Sequence, residues 1–227
     1  MGQKISVDFF RAYKRLSNVT NTSANLNDLQ KSVWFAGKKG YSKLLSQDLK
    51  IREFLFKKLT FAGLSEVIIR RYFRKIEITL FVTKPGVVIG KSGASINELK
   101  AELQTKFGLP VGLRLDIQDV KDPFKSAQVI ATEISEALKR KVPYRRVAKN
   151  YLEKIRYAGI LGAKIALKGR LNGGEIARKE EFPFGSIPRH TIDSSIDYAF
   201  VESQTKAGTV GVKVWLYKGD KFKNYSD

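Results

Sequence analysis

The chain has 227 residues, 43% of them apolar, enough for one large domain or two small ones with real cores. Its 42 Lys and Arg against 22 Asp and Glu leave a formal charge of +20, which a compact fold tolerates best against a polyanion, with nucleic acid ahead of an anionic membrane surface. The absence of cysteine excludes disulfides, thiolate metal sites and a cysteine nucleophile, and no apolar run approaches the ~18 residues of a membrane span.

The excess charge is spread along the chain. Residues 1–47 hold 8 basic and 2 acidic side chains, 48–121 hold 14 and 8, and 122–227 hold 20 and 12. Every segment is therefore expected to meet the same anion, unlike a basic tail on a neutral enzyme. Residues 1–47 read as a basic N-terminal extension that orders on a partner. They mix Phe9, Phe10, Tyr13, Trp34, Phe35 and Tyr41 with lysines and a polar tract at 17–27, which favours RNA over a plain flexible terminus. The start, MGQKISVDFFRAYKRL, lacks a secretory apolar core and is expected to be a mature terminus rather than a transit segment.

From Asp48 the pattern tightens. Asp48 is placed to cap a helix over 48–62, with Leu49, Leu55 and Leu59 on one face, Phe54 and Phe56 beside it, and Gly63 at its end. Residues 64–72 (LSEVIIRRY) are β-branched and strand-like. Over 75–82, Ile76, Ile78, Leu80 and Val82 alternate strictly, as in a half-buried strand. Next come a short apolar helix from Pro85, a glycine loop, and a helix from Ser92 or Ala94 to Phe107. That helix carries Ile96, Leu99 and Leu103 at helical spacing and stops at Gly108 and Pro110. Leu113, Leu115 and Ile117 alternate as a third strand. The order is helix, strand, strand, helix, G-x-x-G, helix, strand, which is that of a type II KH domain, expected over 48–121.

The stretch PGVVIGKSG raises the question of which phosphate it holds. A Walker loop needs G-x-x-x-x-G-K-[ST]; here one residue is missing between Gly86 and Gly90, and Val87, Val88 and Ile89 form an apolar turn that is costly to expose as a phosphate nest. No later apolar strand ends in a magnesium-holding aspartate, so an NTP-hydrolysing enzyme is disfavoured. Gly90, Lys91, Ser92 and Gly93 read instead as G-x-x-G between two helices. The glycines let a nucleic acid backbone approach without Cβ collisions, the amides opening the next helix face phosphates, and Lys91 adds charge, as in a KH module that clamps about four nucleotides. A glycine turn without a ligand is the plain alternative.

Asp122-Pro123 opens a second unit, expected over 122–227. Ala127, Ile130, Ala131, Ile134, Ala137 and Leu138 form one helical stripe; after Pro143 a second helix carries Val147, Tyr151, Leu152 and Ile155 inward and stops at Gly159. Four strands are predicted at 163–168, 180–187, 195–205 and 209–216, with a small helix around 174–179. Two helices on one face of a mainly antiparallel four-stranded sheet make the whole chain α+β: an N-terminal extension, a type II KH domain and a C-terminal α+β domain. Lys139, Arg140, Lys141, Arg145, Arg146 and Lys149 place six cations within 11 residues, with no acidic side chain interspersed. Opposite the apolar Val147/Tyr151/Leu152 face they form an electropositive ridge that asks for an anion. The single histidine, His190, is expected to be hydrogen-bonded and structural, and Trp34 and Trp215 to be packing residues rather than base platforms.

These segments carry a resemblance. VTKPGVVIGKSGASINELK, YRRVAK, GRLNGGEIARKE, IPRHTIDSSIDYAF and GTVGVKVWLYKGD occur in the order seen in the bacterial-type family of small-subunit ribosomal protein three, and the chain resembles that family from about Trp34 to Asp220. The resemblance implies a structural constituent of the small-subunit head, not an enzyme. It implies binding to ribosomal RNA, a place lining the channel by which mRNA enters, and small-subunit ribosomal proteins ten and fourteen as neighbours. No cofactor, membrane or small-molecule substrate is implied. Arg145, Arg146 and Lys149 match the basic trio that faces incoming mRNA in this family. Arg170 and Arg178 match a turn and short helix and are expected to reach RNA phosphates, with Glu175 as a possible internal partner for either. Asp193 and Ser195 stand where the family has an arginine and an aspartate, and Ser6-Val7-Asp8-Phe9 stands where it has Asn-Pro-x-Gly. A cytoplasmic ribosome is implied, with an organelle ribosome as an alternative. A free-standing KH regulator of transcripts is the rival function.

Overall fold

Strict alternation in one half and helical stripes in both give two separate cores. The computed structural model describes residues 31–72, 75–110, 112–192 and 194–220. The expectations for Phe9, Phe10, Tyr13, the 17–27 tract and Asp193 lie outside those residues. The described residues divide into two compact units at Lys121 and Asp122.

The first unit runs β1 (Ser32–Val33), α1 (Lys38–Lys58), β2 (Leu64–Arg71), β3 (Ile76–Val82), α2 (Pro85–Ile89), α3 (Ala94–Phe107) and β4 (Leu113–Asp119). Its sheet has the order β1-β2-β3-β4, with β2 and β3 antiparallel and both β1 on β2 and β4 on β3 parallel. The alternating residues of β3 are all buried, and Ile51 and Leu55 of α1 with Leu99 and Leu103 of α3 complete the core. This is the predicted helix and strand order, with β1 as an unpredicted edge strand. The Ile69 amide donates to the Lys31 carbonyl at 3.0 Å, and an Arg52 nitrogen donates to Ser32 Oγ at 2.7 Å.

The first helix corrects three expectations. It begins at Lys38, ten residues ahead of position 48, so part of the expected extension is helical. Asp48 does not cap it. Mid-helix and 2% exposed, Asp48 accepts from Arg71 Nε at 2.8 Å, from Arg71 Nη2, and from Trp34 Nε1 at 2.8 Å. Arg71 also donates to Gln47 Oε1 at 2.9 Å. An aspartate short enough to cap a turn is equally suited to receive a guanidinium from a neighbouring strand, and the tertiary partner wins. Leu49, expected on the inner face, is exposed, and Ile51 lies in the core instead.

The second unit contains α4 (Ala127–Lys139), α5 (Tyr144–Tyr157), β5 (Gly162–Gly169), β6 (Arg178–Gly185), β7 (Ser194–Thr205) and β8 (Gly208–Asp220). Its sheet is antiparallel throughout, in the order β6-β5-β8-β7. Ile130, Ile134, Val147 and Ile155 of the two helices pack on Ile165, Leu167, Val212, Val214 and Leu216 of the central strands. Asp197 of β7 accepts from the Ala127 amide at 3.1 Å, so a strand residue tethers the first turn of α4, whose own N-cap Ser126 makes no side-chain cap bond. The small helix expected at 174–179 is absent. A 3-10 turn spans Leu171–Gly173, and Arg178 already opens β6.

The second core sets one alkaline limit. Burial, then the neighbouring Glu133 carboxylate, push the Tyr151 hydroxyl up to about 12. A folded-state value above the unfolded one contributes stability that is complete below about 10 and is lost as pH rises through about 12. Tyr151→Phe should therefore flatten the fall in unfolding free energy over that window, measured by urea titration at several alkaline pH values. An unchanged slope in the variant would show that the phenol is not involved.

Candidate nucleic-acid interface

The sequence between β3 and α3 builds the first candidate surface. Pro85 starts α2 and Gly90 ends it, its amide donating to the Gly86 carbonyl at 3.0 Å. Lys91–Gly93 form a 3-10 turn, and Gly93, at φ +79°, caps α3 with no side-chain bond to that helix's first amides. Gly90 is required on two counts. Its φ is +72°, and a Cβ there would lie 2.3 Å from Ser95 Oγ. Lys91 is exposed. A Walker lysine follows a strand and its loop, whereas here a helix precedes the lysine. Of the three apolar residues before Gly90, only Val88 enters the core; Val87 and Ile89 are exposed beside the loop, a feature hydropathy alone did not reveal.

The second surface lies on α4 and α5. Tyr144, Val147, Ala148 and Ile155 of α5 are buried, which turns Arg145, Arg146 and Lys149 outward. Lys139, Arg140 and Lys141 are exposed at the end of α4. No acidic side chain interrupts this run, but a distant one folds against it. Arg145 forms a two-point ion pair with Glu180 of β6, at 3.0 Å and 3.3 Å, and Tyr144 donates its hydroxyl to the same carboxylate at 2.6 Å. These bonds, Arg145 first, hold the Glu180 carboxyl below its ordinary value and the Arg145 guanidinium above its own. Glu180 lies 35 positions along the chain, so the antiparallel pairing of β5 and β6 brings it in. Arg146 and Lys149 have no carboxylate partner among the described residues.

The remaining cations are placed differently from one another. Arg170 donates through Nε to the Gly174 carbonyl at 2.9 Å rather than to Glu175. Arg178 is exposed at the start of β6. Lys141 and Arg170 reach the rim of one cleft, where Lys206 from the β7–β8 turn joins them, a residue the sequence did not single out.

His190, expected to be hydrogen-bonded and structural, is exposed. Trp215 packs against a neighbouring ring, but outside the core. Val212, Val214 and Leu216 point into the core, so Trp215, at the opposite parity, lies on the helix-free face of the sheet. There it meets Tyr198 at 5.3 Å between ring centroids, with Lys164 Nζ 5.9 Å from its ring. Lys164 and Lys179 both bond Glu181 and hold its carboxyl down to about 2. Among the described residues no group of three or more His, Cys, Asp or Glu is placed to hold a metal ion, and no helix is long and apolar enough to cross a membrane.

A type II KH unit with an open G-x-x-G turn, followed by a cationic two-helix and sheet unit, defines an RNA-binding protein of the KH class. Comparison with known proteins narrows this. The family "KH domain" matches residues 50–124 and "Ribosomal protein S3, C-terminal domain" matches residues 134–216. The chain is 44% identical over 189 residues to small ribosomal subunit protein uS3 of Cupriavidus metallidurans, covering 83% of this chain and 71% of that protein. It is 43% identical over 189 residues to that of Ralstonia pickettii, with the same coverage. With that of Polaromonas naphthalenivorans it shares 42% over 220 residues, 97% of this chain and 70% of the relative. The chain belongs to the small ribosomal subunit protein uS3 family, and is thus a structural ribosomal protein of the translation machinery.

Proposed function

We propose that this chain binds ribosomal RNA on the head of the small subunit and lines the channel by which mRNA enters. In this reading Arg146 and Lys149 hold messenger phosphates directly, and Arg145 reaches them from its pair with Glu180. Small-subunit ribosomal proteins ten and fourteen are its neighbours. The G-x-x-G turn from Gly90 to Gly93, the α4 terminus and the Arg170 and Arg178 positions supply further phosphate contacts. The observation that carries the reading is the outward face of α5: a helix anchored by the buried Tyr144, Val147, Ala148 and Ile155 presents two cations with no carboxylate partner among the described residues.

The pairing of Arg145 makes the trio unequal. Arg146→Ala and Lys149→Ala should each weaken binding of single-stranded RNA about tenfold, the size of one charge-assisted hydrogen bond, and Arg145→Ala should weaken it less. Glu180→Gln should strengthen binding by freeing the guanidinium. Anisotropy titration of the purified chain reads all four, and an equal loss at the three cations would remove the role given to Glu180. The function itself is tested in ribosomes carrying Arg146→Glu with Lys149→Glu. Translation of hairpin-bearing messages should slow relative to unstructured ones while subunits still assemble. Equal slowing of both message types would overturn the entrance role.

A further inference from the structure

We propose that a cleft in the second unit, lined by neither Arg146 nor Lys149, binds one phosphodiester of single-stranded RNA and seats the adjoining base or ribose on its apolar floor. The inference rests on the RNA-binding reading above and deepens it. The cleft measures about 520 Å³, within the range of small-ligand sites and large enough for a nucleotide. Three chain segments converge on it: the junction of α4 and α5, the turn after β5, and the β7–β8 turn. Each brings one exposed cation, respectively Lys141, Arg170 and Lys206, and none of the three has a carboxylate partner among the described residues. The buried side chains of Leu171 and Val210 form the floor. Arg170 is already oriented, since its Nε is spent on the Gly174 carbonyl and its terminal nitrogens are left for a ligand.

The backbone supplies the second argument. Among the described residues just two non-glycines have positive φ, Lys141 at 61° and Asn172 at 54°, and both line this cleft. Lys141 occupies the position just past the helix C-cap. Its amide donates to the Leu138 carbonyl at 3.0 Å, and the Val142 amide donates to Ala137 at 3.2 Å, the paired bonds of a Schellman ending. Glycine is the favoured residue there because a Cβ is strained in the left-handed region. A lysine therefore sits at a cost to the helix ending, and what it offers in return is a charge at the rim of a cleft that holds two others.

That trade gives the test. The full chain is titrated with a fluorescent single-stranded oligouridylate over a range of salt concentrations. Lys206→Ala and Lys141→Gly should each weaken binding about tenfold and make the log–log salt dependence shallower by about 0.7. The Lys141→Gly protein should nevertheless melt no lower than the parent, and rise by a few degrees. Lys141→Asn, which also tolerates a left-handed backbone, should behave in the same way. Parental affinity in both Lys141 variants overturns the proposal. If Arg146→Glu with Lys149→Glu weakens binding and the cleft variants do not, the cleft alone is rejected. If the parent chain fails to bind the oligomer at low salt, the RNA reading itself falls and the cleft with it.

Discussion

Asp48→Ala should destabilise the first unit by about 3–5 kcal/mol, a large part of the 5–15 kcal/mol that holds a domain of this size together. The cost arises from what the substitution leaves behind. Arg71 is 9% exposed, and its Nε and Nη2 both donate to Asp48. Without the carboxylate, a guanidinium stays buried with only Gln47 among the described residues to receive it, and the Trp34 indole also loses its acceptor. The two tryptophans lie in different units, so Trp215→Phe leaves Trp34 to report on the first unit alone during denaturant unfolding. Replacing both charges, as Asp48→Leu with Arg71→Met, should cost less than Asp48→Ala, since no uncompensated ion remains. A loss below about 1 kcal/mol for Asp48→Ala would show that the pair is solvated and stabilises little.

Arg146→Glu with Lys149→Glu should weaken binding of single-stranded RNA by about a hundredfold, two contacts each contributing near tenfold. The slope of log affinity against log salt should become shallower by about 1.4, two counterions fewer on a single strand. The fold should persist, because both side chains are exposed and the helix is held by Val147, Ala148 and Ile155 on its opposite face. The loss belongs to this face if circular dichroism and melting are unchanged while the salt slope drops. A weakened complex with the parental slope would instead point to a distorted helix, and would remove these residues from the phosphate contacts.

Much of this molecule is written locally. Ile76 to Val82 alternate and form β3; the stripe from Ala127 to Leu138 is apolar on one side and forms α4. Glycines at 90 and 93 permit a turn that other residues would strain, and the G-x-x-G between them was legible as such. These signals survive because period and steric permission act over a few residues, whatever the chain meets elsewhere. Helix α1 shows the limit. Its first ten residues carry Gly40 and little apolar period, and local propensity favoured a start at Asp48. Tertiary contacts decided otherwise, with Arg71 and Trp34 drawing that carboxylate into the unit's interior.

The sequence by itself determined the α+β class, both core stripes, the glycine turn and the surplus of cations. Only the tertiary structure decided which cations are neutralised. Glu180 reaches Arg145 through strand pairing, and three turns distant in sequence gather Lys141, Arg170 and Lys206 around one cleft. It also decided the face on which Trp215 lies. The physical reason is that charge pairing and concavity depend on distances through space, which strand register sets, whereas periodicity depends on neighbours along the chain.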